Sequence, residues 1–314
     1  MNIGIDANYL IFEKAGIGKY TQNIIKDLLK IDRQNHYFLY FSFIRHSSSR
    51  RKEIVAFLSQ VRSKKVEVRI TPLPAAWQEY LTASFIPPFR LFPDKLDIFF
   101  APYAASVPKS RFWGKGQKPP KIVTTIHDLV FLRYPEHRGK KLSQFYLKRH
   151  QIALKNSQKL IAVSLATKRD MIDLLKVDAR KIQVIYEAAD AKFRPLKKKE
   201  MSRARQIISQ YFNPKTKYIL SVGTLEPRKN LARLITAFSL LPNVLKQKYQ
   251  LVLVGGKGWN NQALQQTINN LNLKDRVVLT GFVLDDDLAY IYNQASIFVY
   301  PSLYEGFGLP PLEA

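Results

Sequence analysis

Glu305 and Glu313 lie eight positions apart in Tyr300-Pro-Ser-Leu-Tyr-Glu-Gly-Phe-Gly-Leu-Pro-Pro-Leu-Glu313, a stretch that also holds Gly306, Gly308 and the pair Pro310-Pro311. Carboxylates accept hydrogen bonds from hydroxyls and pair with cations, and glycine lets a ligand come close to the backbone. Proline suits the first turn of a helix, where its missing N–H is not needed. A strand leading into such a loop aims backbone N–H groups at an anion, so the chemistry to expect is capture of an anionic ligand, a nucleotide first among them. A plain strand-to-helix turn has the same ingredients.

Other segments carry matching chemistry. In Gly223-Thr-Leu-Glu-Pro-Arg-Lys-Asn230, Arg228 and Lys229 stand side by side. A guanidinium fork and an ammonium there can both reach a diphosphate, and Asn230 is placed to cap the next helix. His127-Asp128 follows an apolar run; the imidazole can donate to a sugar hydroxyl or act as a base, and Asp128 can orient it or begin a helix. Gly281-Phe282-Val283 can present backbone groups to a planar base. Asp285-Asp286-Asp287 contains the oxygen ligands a divalent cation wants, but acids before Leu288 also suit a helix N-terminus, as a cap and as negative charge against the dipole. The helix reading is taken, and no metal is expected. Gly255-Gly-Lys-Gly258 has the composition of a phosphate loop without its Lys-Ser/Thr ending.

These residues need elements to hold them. Apolar strand patterns occur at 3–6, 36–42, 66–70, 96–100, 122–126, 159–163 and 182–186, and again at 218–222, 250–254, 277–280 and 297–300, the last read as buried. Helical patterns alternate with many of them, which predicts mostly parallel sheets covered on both faces. Gly16-Ile-Gly-Lys-Tyr-Thr21 opens a helix whose apolar positions are Ile24, Ile25, Leu28 and Leu29. A dinucleotide fingerprint would need glycine where Thr21 stands and an acid ending the second strand; neither is present, so a nicotinamide dehydrogenase is excluded. The glycine turn either admits a ligand or packs helix on strand. Proline-rich pieces at 71–74 and 86–88 and the loop 114–120 interrupt the series. Residues 138–156 read as a basic helix, with Arg138, Lys140, Lys141, Lys148, Arg149 and Lys155 on a solvated face or against an acidic surface. The charged stretch after Pro195 divides the chain into domains at 1–195 and 196–314.

The chain of 314 residues is long enough for two domains and carries 50 Lys and Arg against 24 Asp and Glu, net +26, most of it before Pro195. Such charge suits a phosphate-bearing acceptor or an anionic membrane surface. It also fits a generally basic surface. Nucleic acid is not expected, because no recognisable binding module accompanies the charge. No apolar run reaches the ~20 residues of a membrane span and no leader pattern opens the chain, so a cytoplasmic protein is expected, peripheral on the inner membrane face if the charge serves lipid. With no cysteine, thiolate chemistry is absent.

Taken in order, Gly16-Ile-Gly-Lys-Tyr-Thr21, Ile126-His-Asp-Leu129, Val163-Ser164, Val222-Gly-Thr-Leu-Glu-Pro-Arg-Lys-Asn230 and the Glu305-x7-Glu313 stretch resemble the retaining glycosyltransferases of family four, which have the GT-B fold. The resemblance spans the chain. It implies an α/β protein of two tandem Rossmann-like, doubly wound domains, an amino-terminal one for the acceptor and a carboxyl-terminal one for a nucleotide-sugar donor. The second domain reads as truncated at Ala314, before the helix that should follow its last loop.

By the same resemblance, Arg228 and Lys229 clamp the diphosphate, Glu305 contacts the donor hexose, and Glu313 takes the ribose hydroxyls. The loop of Gly306, Phe307, Gly308 and Leu309 holds sugar hydroxyls or phosphate, His127 touches the hexose across a cleft, and Gly16 and Gly18 approach the phosphates. The segment Glu187-Ala-Ala-Asp190 departs from the usual Asn-Gly-Val-Asp, leaving the role of that turn open. The function implied is hexose transfer to a glycan or lipid-linked acceptor in cell-surface polysaccharide synthesis, with the motif spelling nearest to GDP-mannose donors. A GT-B nucleotide-sugar epimerase and a non-catalytic nucleotide-sugar or polyanion binder are the alternatives. No cofactor beyond the donor is implied. Turnover in excess chelator should equal turnover without it; loss of activity on chelation would bring the metal reading back.

Overall fold

The computed structural model describes residues 1–12, 16–42, 48–61, 65–71, 94–107, 119–137, 139–256, 258 and 261–314. The proline-rich pieces at 72–74 and 86–88, loop residues 114–118, Arg138 and Lys257 fall outside them. Every strand read from the sequence is present among them. In the first part these are β1 (Asn2–Asp6), β2 (His36–Ser42), β3 (Val66–Thr71), β4 (Ile98–Ala101), β5 (Lys121–Ile126), β6 (Lys159–Ala162) and β7 (Ile182–Val184). They form one parallel sheet in the order β3-β2-β1-β4-β5-β6-β7.

Both faces of this sheet are buried. Alternate residues of β2 feed different cores: Phe38 and Tyr40 pack with Phe99 and Ile122, whereas Leu39 and Phe41 pack with Ile5 and Ile25. A strand covered on both sides gains from apolar residues at successive positions, so it reads as a continuous apolar run. The helix Ile17–Ile31 supplies Ile25 and Leu29 to that second core.

The second part repeats the plan with β8 (Lys217–Val222), β9 (Tyr249–Val254), β10 (Val277–Gly281) and β11 (Ile297–Phe298), parallel in the order β10-β9-β8-β11. Leu251 and Leu253 pack with Ile235 on one face, while Leu220, Val252 and Val254 pack with Ile291 on the other. In each sheet the first strand pairs with two neighbours, β1 with β2 and β4, and β8 with β9 and β11. The connections therefore diverge at the carboxyl ends of β1 and β4, and of β8 and β11. Such switch points leave a crevice for ligands in open α/β sheets.

Three expectations need correction. The chain divides at Glu187/Ala188 rather than at Pro195; Phe193 packs edge-on against Tyr292, and Arg194 pairs with Glu200, so these residues belong to the second unit. β11 is not buried: it pairs only with β8 among the described strands, and Ile297 is 53% exposed. On the helix Lys140–Asn156, Lys140, Lys141, Lys148 and Lys155 are exposed, but Arg149 is only 2% exposed.

Gly255 shows how tightly the second sheet's loops are packed. Its φ is +157°, and a β-carbon there would collide with the carbonyl of Gly223. Gly255→Ala should lower stability by roughly 1–3 kcal/mol, the usual cost of forcing a side chain into such a conformation. Denaturant unfolding reads this as a lower midpoint with an unchanged slope.

Candidate functional site

The site in the second unit begins with backbone. The Gly223 N–H donates to the Val254 carbonyl at 2.9 Å, the Leu225 N–H to Gly256 at 3.1 Å, and the Gly255 N–H to Gly281 at 3.0 Å. These bonds join the loops leaving β8, β9 and β10. After β8 the chain makes a 3-10 turn, Pro227–Lys229, with proline in its first turn. Asn230 then adopts the left-handed conformation, φ 57°. It does not cap the next helix: its side-chain amide donates to the Pro301 carbonyl at 3.2 Å, because the left-handed backbone is not the extended conformation a cap requires. The Leu303 N–H donates to the Arg228 carbonyl at 2.9 Å, so the exits of β8 and β11 are joined twice.

On this frame Arg228, Lys229 and Glu305 meet. One guanidinium nitrogen of Arg228 lies 2.5 Å from a Glu305 oxygen and donates to the Tyr304 carbonyl at 2.6 Å; the other lies 2.5 Å from Glu226. Lys229 Nζ donates to the second Glu305 oxygen at 2.6 Å and to the Tyr300 hydroxyl at 3.2 Å, and sits 5.2 Å from the centre of the Tyr300 ring. Gly223 makes room: a β-carbon there would come within 3.2 Å of the Lys229 side chain. All four ionic side chains are largely buried.

The buried partners respond differently. Burial would raise the Glu305 carboxyl, but the charges of Lys229 and Arg228 outweigh it and leave the carboxyl below its ordinary range. Burial pulls the Lys229 ammonium below its ordinary value, and the one shared carboxylate does not restore it with Arg228 also nearby. A carboxylate between two cations gains more than either cation sharing it. Burial and the neighbouring Glu305 push the Tyr300 hydroxyl up, so it stays a neutral donor.

The loop after β11 runs through buried Gly306 to Gly308, whose φ of +102° favours glycine, and opens the helix Leu309–Glu313 with prolines in its first turn. Phe307 and Leu309 are partly exposed. Glu313 accepts from the Tyr292 hydroxyl at 3.0 Å. The Gly281 carbonyl is engaged by Gly255 and by the Thr280 hydroxyl, so what this position presents outward is Phe282, 54% exposed. The three aspartates form the first turn of the helix Asp285–Gln294, and Leu284 rather than an aspartate is its cap. Asp285 and Asp286 pair with Lys192, and Asp287 accepts from Tyr211 at 2.7 Å.

In the first unit, β5 delivers His127. Nε2 lies 2.9 Å from the Pro102 carbonyl and Nδ1 lies 3.2 Å from Glu187. Asp128 does not orient the ring; its carboxylate accepts from the Val130 N–H at 3.1 Å and starts the short helix Val130–Arg133. Gly16, at φ 47°, precedes the helix Ile17–Ile31, and Gly18 is buried in its first turn. That helix carries Tyr20, whose ring meets His127 edge-on at 4.7 Å and whose hydroxyl shares a proton with Thr125 at 2.9 Å. Burial pushes the Tyr20 hydroxyl up to about 12, with Glu187 adding to the shift. Sequence reading missed Glu226, Glu187, Tyr20 and Tyr300. Glu226 had a signal, an acid two positions before Arg228 in the same turn.

Glu305 carries a pH signature. A depressed folded-state pKa adds stability above the unfolded value and loses it as pH falls through the folded one. Glu305→Gln should therefore cost about 3 kcal/mol at neutral pH, the scale for breaking a buried pair, and the deficit should shrink on acidification below the ordinary glutamate value near ~4.3. Urea unfolding of parent and variant across pH checks this; a pH-independent difference would refute it.

A family model for Glycosyltransferase Family 4 matches residues 15–193, and one for Glycosyl transferases group 1 matches residues 202–314. O-antigen chain mannosyltransferase B of Escherichia coli is 34% identical over 194 residues, 62% of this chain and 50% of that protein. O-antigen chain mannosyltransferase RfbU of Salmonella typhimurium is 33% identical over 191 residues, 60% of this chain and 48% of that one. The chain thus spans about half the length of these curated relatives. Sucrose-phosphate synthase from Thermosynechococcus elongatus superposes with a TM-score of 0.70 at 19% identity, covering 100% of this chain and 78% of that one. The Anabaena HepE structure in complex with UDP and glucose gives a TM-score of 0.65 at 18% identity, covering 100% and 77%. These structural likenesses establish the fold, two Rossmann-like units of GT-B type. With the first family model covering more than half of its length, the chain belongs to glycosyltransferase family 4.

Proposed function

We propose that this chain carries the donor and acceptor units of a retaining hexosyltransferase that moves mannose from a nucleotide-diphosphate donor, GDP-mannose first, to a glycan or lipid-linked acceptor during cell-surface polysaccharide synthesis. The observation that carries the reading is the meeting of Arg228 and Lys229 on Glu305 at the switch point of the second sheet. Two buried cations at that edge suit a diphosphate whose negative charge grows as the sugar leaves. The choice of mannose is supported by relatives named as O-antigen mannosyltransferases.

In the proposed reaction the acceptor oxygen bonds to the anomeric carbon on the face from which the donor oxygen departs. The C1–O bond to the diphosphate breaks with its electron pair going to phosphate, and the acceptor proton passes to a phosphate oxygen. Arg228 and Lys229 stabilise the leaving charge without a metal. The alternative, a covalent intermediate, needs a free carboxylate, whereas both Glu305 oxygens face cations, which lowers their nucleophilicity. The exposed lysines of the helix Lys140–Asn156 suit an anionic acceptor or the inner membrane face; among the described residues no helix is long and apolar enough to cross a membrane.

A panel of nucleotide sugars tested by thermal unfolding examines the reading. The preferred donor at 100 times its dissociation constant should add ~2.7 kcal/mol of stability. Arg228→Ala should unfold cooperatively, lose that stabilisation and lower transfer by roughly 10²–10³-fold. Unchanged transfer by this variant would refute the clamp, and stabilisation by UDP-glucose rather than GDP-mannose would refute the donor.

A further inference from the structure

Both ring nitrogens of His127 have partners that only accept. Nε2 faces the Pro102 carbonyl at 2.9 Å, so the chemistry of the partner assigns a proton to Nε2. Nδ1 faces the Glu187 carboxyl at 3.2 Å, so each ring nitrogen has its own oxygen partner. Both side chains of this pair are largely buried, 13% and 10% exposed. Tyr20 closes the ring from the side, edge-on at 4.7 Å. The imidazole is therefore fixed at three points by residues from three separate parts of the chain.

We propose that Glu187 is a positioning residue for His127: it sets the plane in which the imidazole is held. This rests on the transfer reading above, with His127 in the hexose-contact role that the family resemblance implies. Glu187 acts through His127, because its oxygen engages the ring nitrogen rather than an open edge. An outer partner that orients an imidazole typically matters about 10–100-fold in activity.

The experiment compares Glu187→Ala, Glu187→Gln, His127→Ala and the Glu187→Ala/His127→Ala double variant of this chain. GDP release from GDP-mannose is the kinetic readout, with ring-nitrogen NMR of His127 and urea unfolding alongside. Glu187→Ala should lower kcat about 10–100-fold with KM within about threefold. The double variant should be no slower than His127→Ala. Glu187→Gln, whose amide can still hydrogen-bond Nδ1, should hold the ring plane and recover most of kcat, and it remains informative if the alanine variant fails to fold. Parent kcat in Glu187→Ala, or a double variant slower by the full Glu187→Ala factor, would overturn the proposal. Unchanged His127 ring signals in Glu187→Ala would also overturn it. A parent that releases no GDP from GDP-mannose would count against the transfer reading instead, and the ring signals would still decide whether Glu187 sets the imidazole.

Discussion

The second unit's site depends on one carboxylate, Glu305, held between Arg228 and Lys229. Burying either cation alone would be costly, and the structure keeps them charged in a water-poor place only by surrounding them with acceptors. With Glu226 included, two cations meet two carboxylates, so the resting cluster is neutral although the chain carries +26. In the proposed function an incoming diphosphate would take contacts that Glu305 now holds. In that proposal the carboxylate, released from one of its cations, would be available to a sugar hydroxyl, so the ion pair and the sugar contact would be two states of one side chain.

The first unit uses the same logic with an imidazole in place of the cations. His127 comes from β5, its carbonyl partner Pro102 from just after β4, and Glu187 from just after β7. The parallel order β4-β5-β6-β7 brings these carboxyl ends to one edge of the sheet. Each sheet thus brings to its carboxyl edge groups that lie far apart in the chain.

That separation explains what could be read beforehand. All eleven strands carry apolar runs and were legible, β11 included although it is not buried, as were the Arg228-Lys229 pair and the glycine-proline loop. The contact between His127 and Glu187 spans 60 residues and depends on the order of strands, which local pattern does not encode. Asp128, adjacent in sequence, was the natural candidate to orient the ring, yet its carboxylate turned to a nearer backbone N–H. Asn230 was misread because propensity gives a residue's capacity to cap and not its backbone conformation. Arg149 sits on the buried face of a helix whose other basic residues are solvated, a distinction that needs the packing partner.

The amides of Gly223, Leu225 and Gly255 at the edge of the second sheet are already engaged by neighbouring carbonyls. They stiffen the loops but have no proton left to offer an anion. At these positions recognition passes from backbone geometry to side-chain charge, which responds to the ionic medium as backbone dipoles do not. Screening reaches over ~8 Å at physiological salt and weakens exposed charges far more than buried ones. Because Arg228 and Lys229 lie beneath the surface, a diphosphate bound as proposed would be sheltered from salt, and an approaching one would not.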